Sequence, residues 1–172
     1  GLTMGTNPAT RVAGLPTSVL TEAGRGDAQA VTAWLDEGGG VDAHCAELSN
    51  TTLLAGAAAG GQEATVRMLL QRGASVNLQD SRGFTALMHA ALRGHTTIVQ
   101  ALLDAKADAS LQAESGVMAL MMAEHQKHTA TAQLLRQHAK RQTAEAKALP
   151  TTLLFAAHEG GAQAVAAWLD EG

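Results

Sequence analysis

Cysteine is almost absent: Cys45 is the only one in 172 residues, which excludes an internal disulfide and a zinc site of several thiolates. Aromatic residues are nearly as scarce. Trp34, Phe84, Phe155 and Trp168 are the four, so any core is filled by Ala, Leu, Val and Met, a composition that implies helices lying near one another. No apolar run reaches the roughly 18 residues of a membrane span, and residues 1–15 lack the basic start and apolar stretch of a signal peptide. An intracellular, cytoplasmic location is the expectation, and a lone thiol fits a reducing compartment. Basic charge is not in excess either, since 12 Lys and Arg face 16 Asp and Glu. That balance gives no general attraction to nucleic acid or anionic lipid. An apolar content of 46% is nevertheless too high for a wholly disordered chain, so at least one packed unit is expected.

What is present is a repeat. Thr52-Leu53-Leu54-Ala55-Gly56-Ala57-Ala58 recurs 33 positions later as Thr85-Ala86-Leu87-Met88-His89-Ala90-Ala91, and the correspondence continues through Gly61 with Gly94, Val66 with Val99 and Leu69-Leu70 with Leu102-Leu103. A third copy begins at Gly116, with Ala119-Leu120-Met121 and Ala123 in register. Placing Leu134-Leu135 under Leu102-Leu103 leaves this copy one residue short between its paired helices. Upstream, Ala23-Gly24-Arg25-Gly26 with Val31, Trp34 and Leu35 reads as a degenerate first copy with a longer loop. Each unit holds two short apolar stretches of helical spacing, separated by Gly and closed by a segment such as Gly73-Ala74-Ser75-Val76-Asn77. Helices this short are marginal alone, so the units must bury their apolar faces on one another.

These residues resemble the ankyrin repeat, whose period of about 33 they follow and whose Thr-Pro-Leu-His-x-Ala signature they match in part. The resemblance covers about residues 15–139 and is best over 50–112. It implies an all-α helix-turn-helix solenoid with short β-hairpin-like loops, acting as a non-catalytic protein-binding scaffold. Departures are consistent: the family's Pro is replaced by Leu53, Ala86, Ala119 and Leu153, and its His by Ala55, Met88, Met121 and Phe155. Thr52, Thr85 and Thr152 remain as N-caps. Lys106 and Lys127 stand where Gly73 and Gly94 do, at positions that call for a left-handed backbone, at a cost of about 1 kcal/mol each. Modest stability is expected.

The expected organisation is a disordered segment or tag remnant over 1–14, an array over 15–148 in units of about 15–49, 50–82, 83–115 and 116–148, and a partial further repeat over 149–172. That last segment repeats 15–38, including Ala162-Gln163-Ala164-Val165 and Ala167-Trp168-Leu169-Asp170-Glu171-Gly172, which suggests an array repeated in a longer protein. Between them, Gln133 to Ala148 is rich in helix formers without Gly or Pro and reads as one long helix. Charge divides along the chain. Residues 1–66 hold two basic and seven acidic groups, 67–148 ten and six, and 149–172 three acids alone, a pattern that predicts weak association between the ends of one chain and the middle of another.

Reactive chemistry finds little support. His125 and His128 are three apart, which would set both imidazoles on one helical face and, with His138 or His158, offer a metal site. The repeat instead explains His128 as the partner of His95 at an interhelical turn. His89 reads as a packed or capped imidazole. His44 and Cys45 are adjacent on a loop, where a bystander thiol is the simpler reading than a nucleophile. Gly38-Gly39-Gly40 and Gly60-Gly61 have no following Lys-Ser or Lys-Thr for a phosphate loop and read as helix stops, while Arg25-Gly26-Asp27 falls on a turn. No catalytic residue, metal or cofactor is assigned.

The resemblance assigns partner contact to the loop tips and first helices. These are Glu47, Leu48, Ser49 and Thr51, then Ser81, Arg82 and Phe84, then Glu114, Ser115 and Val117, with Ala59, Leu92, Arg93, His125 and Gln126 from the helices. Phe84, Leu92, Arg82 and Arg93 are the expected anchors, an apolar ring beside guanidinium groups; Phe84 packed sideways on its neighbouring loop is the competing reading. The expected partner is an unidentified protein, with neither nucleic acid nor membrane. Two rivals stand beside this: a structural spacer in a longer repeat protein, suggested by small residues such as Ala59 and Gly60, and a His-based metal protein.

Overall fold

A computed structural model of the chain describes residues 14–147. Two compact units divide the chain, Gly1–Arg136 and Gln137–Gly172; of the second, only residues 137–147 are described. The helices come in pairs: α1 (Thr17–Arg25) with α2 (Ala28–Asp36), α3 (Leu53–Gly60) with α4 (Glu63–Gln71), α5 (Ala86–Arg93) with α6 (Thr96–Asp104), and α7 (Ala119–His125) with α8 (Thr129–Lys147). The first helices stack in sequence, α1 on α3, α3 on α5, and α5 on α7, as the repeat predicts.

Local chemistry sets each helix boundary. The side chains of Thr52 and Thr85 accept hydrogen bonds from the Ala55 and Met88 amides at 3.2 and 3.3 Å, capping α3 and α5. In the third copy Met118 has no oxygen to do this; Thr152 lies outside the described residues. Each first helix ends in a left-handed residue, Gly26, Gly61, Gly94 or Lys127, whose amide and that of its successor bond back to the last carbonyls. Lys106 is also left-handed, at φ 69°, in the register of Gly73. It holds that strained turn because Ala107 beyond it is buried and bonds back to Leu102.

Alanine and glycine let the first helices approach closely. Ala57, Ala58, Ala90 and Ala91 are fully covered, and Leu53, Leu87 and Met88 fill the space between. At the α1/α3 contact the approach is closer still: a Cβ on Gly60 would lie 2.0 Å from the Gly24 carbonyl oxygen. The second helices add Val66, Leu69, Ile98, Val99 and Leu102 to the same continuous core.

One sequence reading is corrected. Thr131, Ala132 and Leu135 are buried 33 positions after Ile98, Val99 and Leu102, so the third copy lacks no residue. Its leucine pair has shifted by one, placing Leu134 in the register of Ala101 and Arg136 in that of Leu103. Glu124, in the register of the covered Ala58 and Ala91, pairs with Arg136 at 2.5 Å, so α7 and the first turns of α8 present an ion pair where the preceding pair presents core. The long helix read over 133–148 is α8. Position 139 holds Ala where Gly73 and Lys106 turn left-handed, so nothing breaks the helix there.

The longer first loop forms a two-stranded antiparallel ribbon, β1 (His44–Cys45) with β2 (Thr51–Thr52), pairing His44 with Thr52 and Cys45 with Thr51. Between the strands, Ala46–Leu48 makes a 3₁₀ turn, and Ser49 and Asn50 both take positive φ. Neighbouring loops are tied at one-repeat spacing. Ser81 N–H donates to the Ser49 carbonyl at 2.8 Å and Glu114 N–H to Arg82 at 3.0 Å, and Gln79 Nε2 bridges the Gly83 and Gln112 carbonyls.

Two stability outcomes follow from these contacts. Gly60→Ala should gain about 1 kcal/mol of helix propensity yet destabilise overall by about 1–3 kcal/mol, because the clash is with backbone; a rise in the urea midpoint would contradict the close approach. Lys106→Gly and Lys127→Gly should each stabilise by about 1 kcal/mol, read as a melting point a few degrees higher by calorimetry.

Candidate functional site

Asp80 organises the second loop tip. Its side chain is 1% exposed, yet every strong demand on it is met: Oδ1 accepts from the Arg82 amide at 2.9 Å and the Phe84 amide at 3.0 Å, while Oδ2 faces His89 Nε2 at 3.2 Å and the Arg82 guanidinium at 3.4 Å. Burial would push this carboxyl up, but the Phe84 and Arg82 amides and then His89 outweigh it, and Asp80 lies below the ordinary carboxylate range. Burial is also the main influence on His89 and depresses it; Asp80 opposes this, and Arg82 and Arg93 push it lower. His89 is therefore a structural imidazole, held neutral under the loop it supports. Above it the Arg82 guanidinium lies 4.9 Å from the centre of the Phe84 ring, and Phe84 stands 5.4 Å from His89 at a tilt of 39°.

One repeat later the polar pair is gone. Ala113 stands in the register of Asp80 and Met122 in that of His89, both buried. This exchange makes the space between the second and third tips apolar. Phe84, Leu92, Ser115, Val117, Met121, Met122 and His125 line an open hollow of about 360 Å³ there. Met121 is 46% exposed although Met88, in its register one pair earlier, is covered.

Five of the fifteen residues expected to bind a partner thus converge on one hollow: Phe84, Leu92, Ser115, Val117 and His125. Ser81, Arg82, Arg93, Glu114 and Gln126 are exposed outside its lining. Arg82 is tied to it through the Phe84 ring. Phe84 meets both readings, partly buried against the core while one side of its surroundings opens on the third tip. The first tip contributes elsewhere. Leu48 is 44% exposed, Thr51 bonds the Leu48 carbonyl at 2.6 Å, and Thr17 donates to the Glu47 carboxylate. Met121 and Met122 were not among the expected residues; the exchange of His89 for Met122 between copies is a sequence signal from which Met122 could have been found. Gly60 has a packing reason in its approach to Gly24, so it gives a spacer reading no particular support.

The histidines are separated rather than clustered. His125 and His128 do not share a helical face, because α7 ends at His125, Lys127 turns left-handed, and His128 stands just before α8. His128 Nε2 lies 3.2 Å from the Leu92 carbonyl and His95 Nε2 3.4 Å from that of Ala59, each reaching one repeat back; Gln62 Nε2 does the same to Gly24 at 3.2 Å. Among the described residues no group of three His, Cys, Asp or Glu side chains is arranged to hold a metal. His158 lies outside them. Cys45 is buried, with Sγ 3.7 Å from the Thr17 hydroxyl. The Arg25-Gly26-Asp27 stretch is the α1–α2 turn, with Gly26 at φ 88° and Asp27 capping α2 through the Ala30 amide.

A family model of ankyrin repeats, comprising three copies, matches residues 20–113, more than half of the chain. Comparison with curated proteins returns no match. Among the described residues no helix is long and apolar enough to cross a membrane.

The sign of the pH response is set by the depressed pair. The unfolded chain binds a proton at His89 near pH 6.5, before the folded chain does, so the stability present above that pH is lost as pH falls through the folded value; Asp80 acts in the same direction below its ordinary 3.8. The His89 ring proton should titrate in NMR with a midpoint below 6.5, and His89→Gln should reduce the loss of denaturant stability between about pH 7.5 and 5.5. A His89 midpoint at or above 6.5 would contradict its burial.

Proposed function

The chain belongs to the ankyrin repeat family, and from that premise we propose that it is a non-catalytic scaffold whose protein partner docks on the loop tips and first helices, centred on the hollow beside Phe84. Ankyrin repeats are in general protein-interaction modules, and fold alone does not name a partner. The observation that carries this reading is the open apolar hollow with an uncovered Met121, set on rigid, mutually packed helices. Phe84, Leu92, Val117 and Met122 pack on the core and hold the hollow's shape, while Met121 is left exposed at its edge. Binding would proceed by presentation of a preformed surface rather than by folding on contact, which limits the entropic cost of association.

Cross-linked capture with the purified chain and with a Phe84→Ala, Arg93→Ala variant tests it. At least one protein should be retained by the parent and lost from the variant while far-UV circular dichroism is unchanged. Retention of the same proteins by both would favour a structural spacer.

A further inference from the structure

We propose that the hollow beside Phe84 takes an apolar side chain from an acidic peptide segment of the partner, with Arg82 and Arg93 holding the flanking carboxylates. This rests on the docking reading above and names the chemistry of what docks. The volume of about 360 Å³ is at the small end of ligand pockets, roughly 300–1,000 Å³, enough for one or two aliphatic side chains and too little for a helix face. Its walls are ring, thioether and aliphatic groups from Phe84, Met121, Met122, Leu92 and Val117. A charged side chain entering here would be desolvated without a partner.

The surroundings carry the charge. Arg82 is 57% exposed in its side chain and fixed by the Phe84 ring at 4.9 Å, while its nearest carboxylate, Asp80, is already met by two amides and His89. Most of its five N–H donors are therefore available to an incoming carboxylate. Arg93 is exposed at the end of α5, next to the hollow-lining Leu92, and no carboxylate pairs with it among the described residues. Arg93 follows His89 by four residues on α5 and so shares its helical face, the face on which the Phe84 ring meets His89 and carries Arg82. Glu114 on the third tip and the buried Asp80 offset the two arginines in formal charge, so what the rim turns outward is two exposed guanidiniums against the one exposed carboxylate of Glu114. Attraction of an acidic segment follows from that field, and register from the apolar anchor.

Fluorescence anisotropy with the full chain and three labelled nine-residue peptides tests the proposal: glutamate-rich with a central leucine, the same with serine for leucine, and lysine-rich with the leucine kept. The first should bind saturably. Serine for leucine, Met121→Asp, and Arg82→Ala with Arg93→Ala should each weaken it about tenfold or more, and raising salt from about 50 to about 300 mM should weaken it severalfold. Met121 is exposed, so its variant should keep the parent's circular dichroism. Equal binding of the lysine peptide, of the serine peptide or of a single-stranded oligonucleotide would overturn the proposal, as would binding by none of the peptides. If the peptides fail while Phe84-dependent capture of a protein persists, the acidic-peptide assignment falls and the docking surface stands; if both fail, both fall.

Discussion

The whole array depends on the burial of one short first helix against the next. None of α1, α3, α5 and α7 exceeds nine residues, below the length at which a helix holds itself in water. Alanines 57, 58, 90 and 91 lose all their exposure because helix meets helix with nothing larger between them. Glycine takes this further at α1 and α3, where Gly60 meets the Gly24 carbonyl and even a methyl group has no room. Van der Waals contact, not polar bonding, sets this spacing.

A second set of contacts fixes the angle between neighbours. Gln62, His95 and His128 stand immediately before the second helices, and each side chain reaches a carbonyl near the end of the first helix one repeat back. Those carbonyls belong to the helix ends that are otherwise left without partners. Loop-to-loop bonds add a third point of attachment, with Ser49, Ser81, Arg82 and Glu114 joined through backbone groups. Packing at the helices and bonding at both ends leave the tips little freedom, which is what a preformed docking surface requires.

Small differences between copies then produce the surface chemistry. The buried pair Asp80 and His89 shapes a polar, well-bonded tip carrying Arg82 and Phe84 outward. Its counterpart, Ala113 with Met122, makes no such bonds and supplies an apolar wall. Where the two meet, a cationic rim borders an apolar hollow. A similar exchange ends the regular packing: Glu124 and Arg136 take the places of Ala91 and Leu103, and an ion pair replaces core. Alanine at 139 in turn allows α8 to run to Lys147.

The sequence by itself determined the period, the helix pairs, the Thr52 and Thr85 caps and the left-handed turns at Lys106 and Lys127, because each rests on local backbone chemistry repeated at a fixed interval. The resemblance to the ankyrin repeat also named Phe84, Leu92, Ser115, Val117 and His125 among its contact positions, because it carries the family's loop tips and first helices onto this chain. Tertiary structure decided what register does not encode. It set Leu135 rather than Leu134 inside, because helical phase from His128, and not the look of a leucine pair, governs burial. It parted His125 from His128, since the Lys127 turn breaks the helix between them. The hollow with Met121 and Met122 was likewise a tertiary outcome: a cavity exists only between two packed copies, and its walls come from residues 41 positions apart at their extremes, Phe84 and His125.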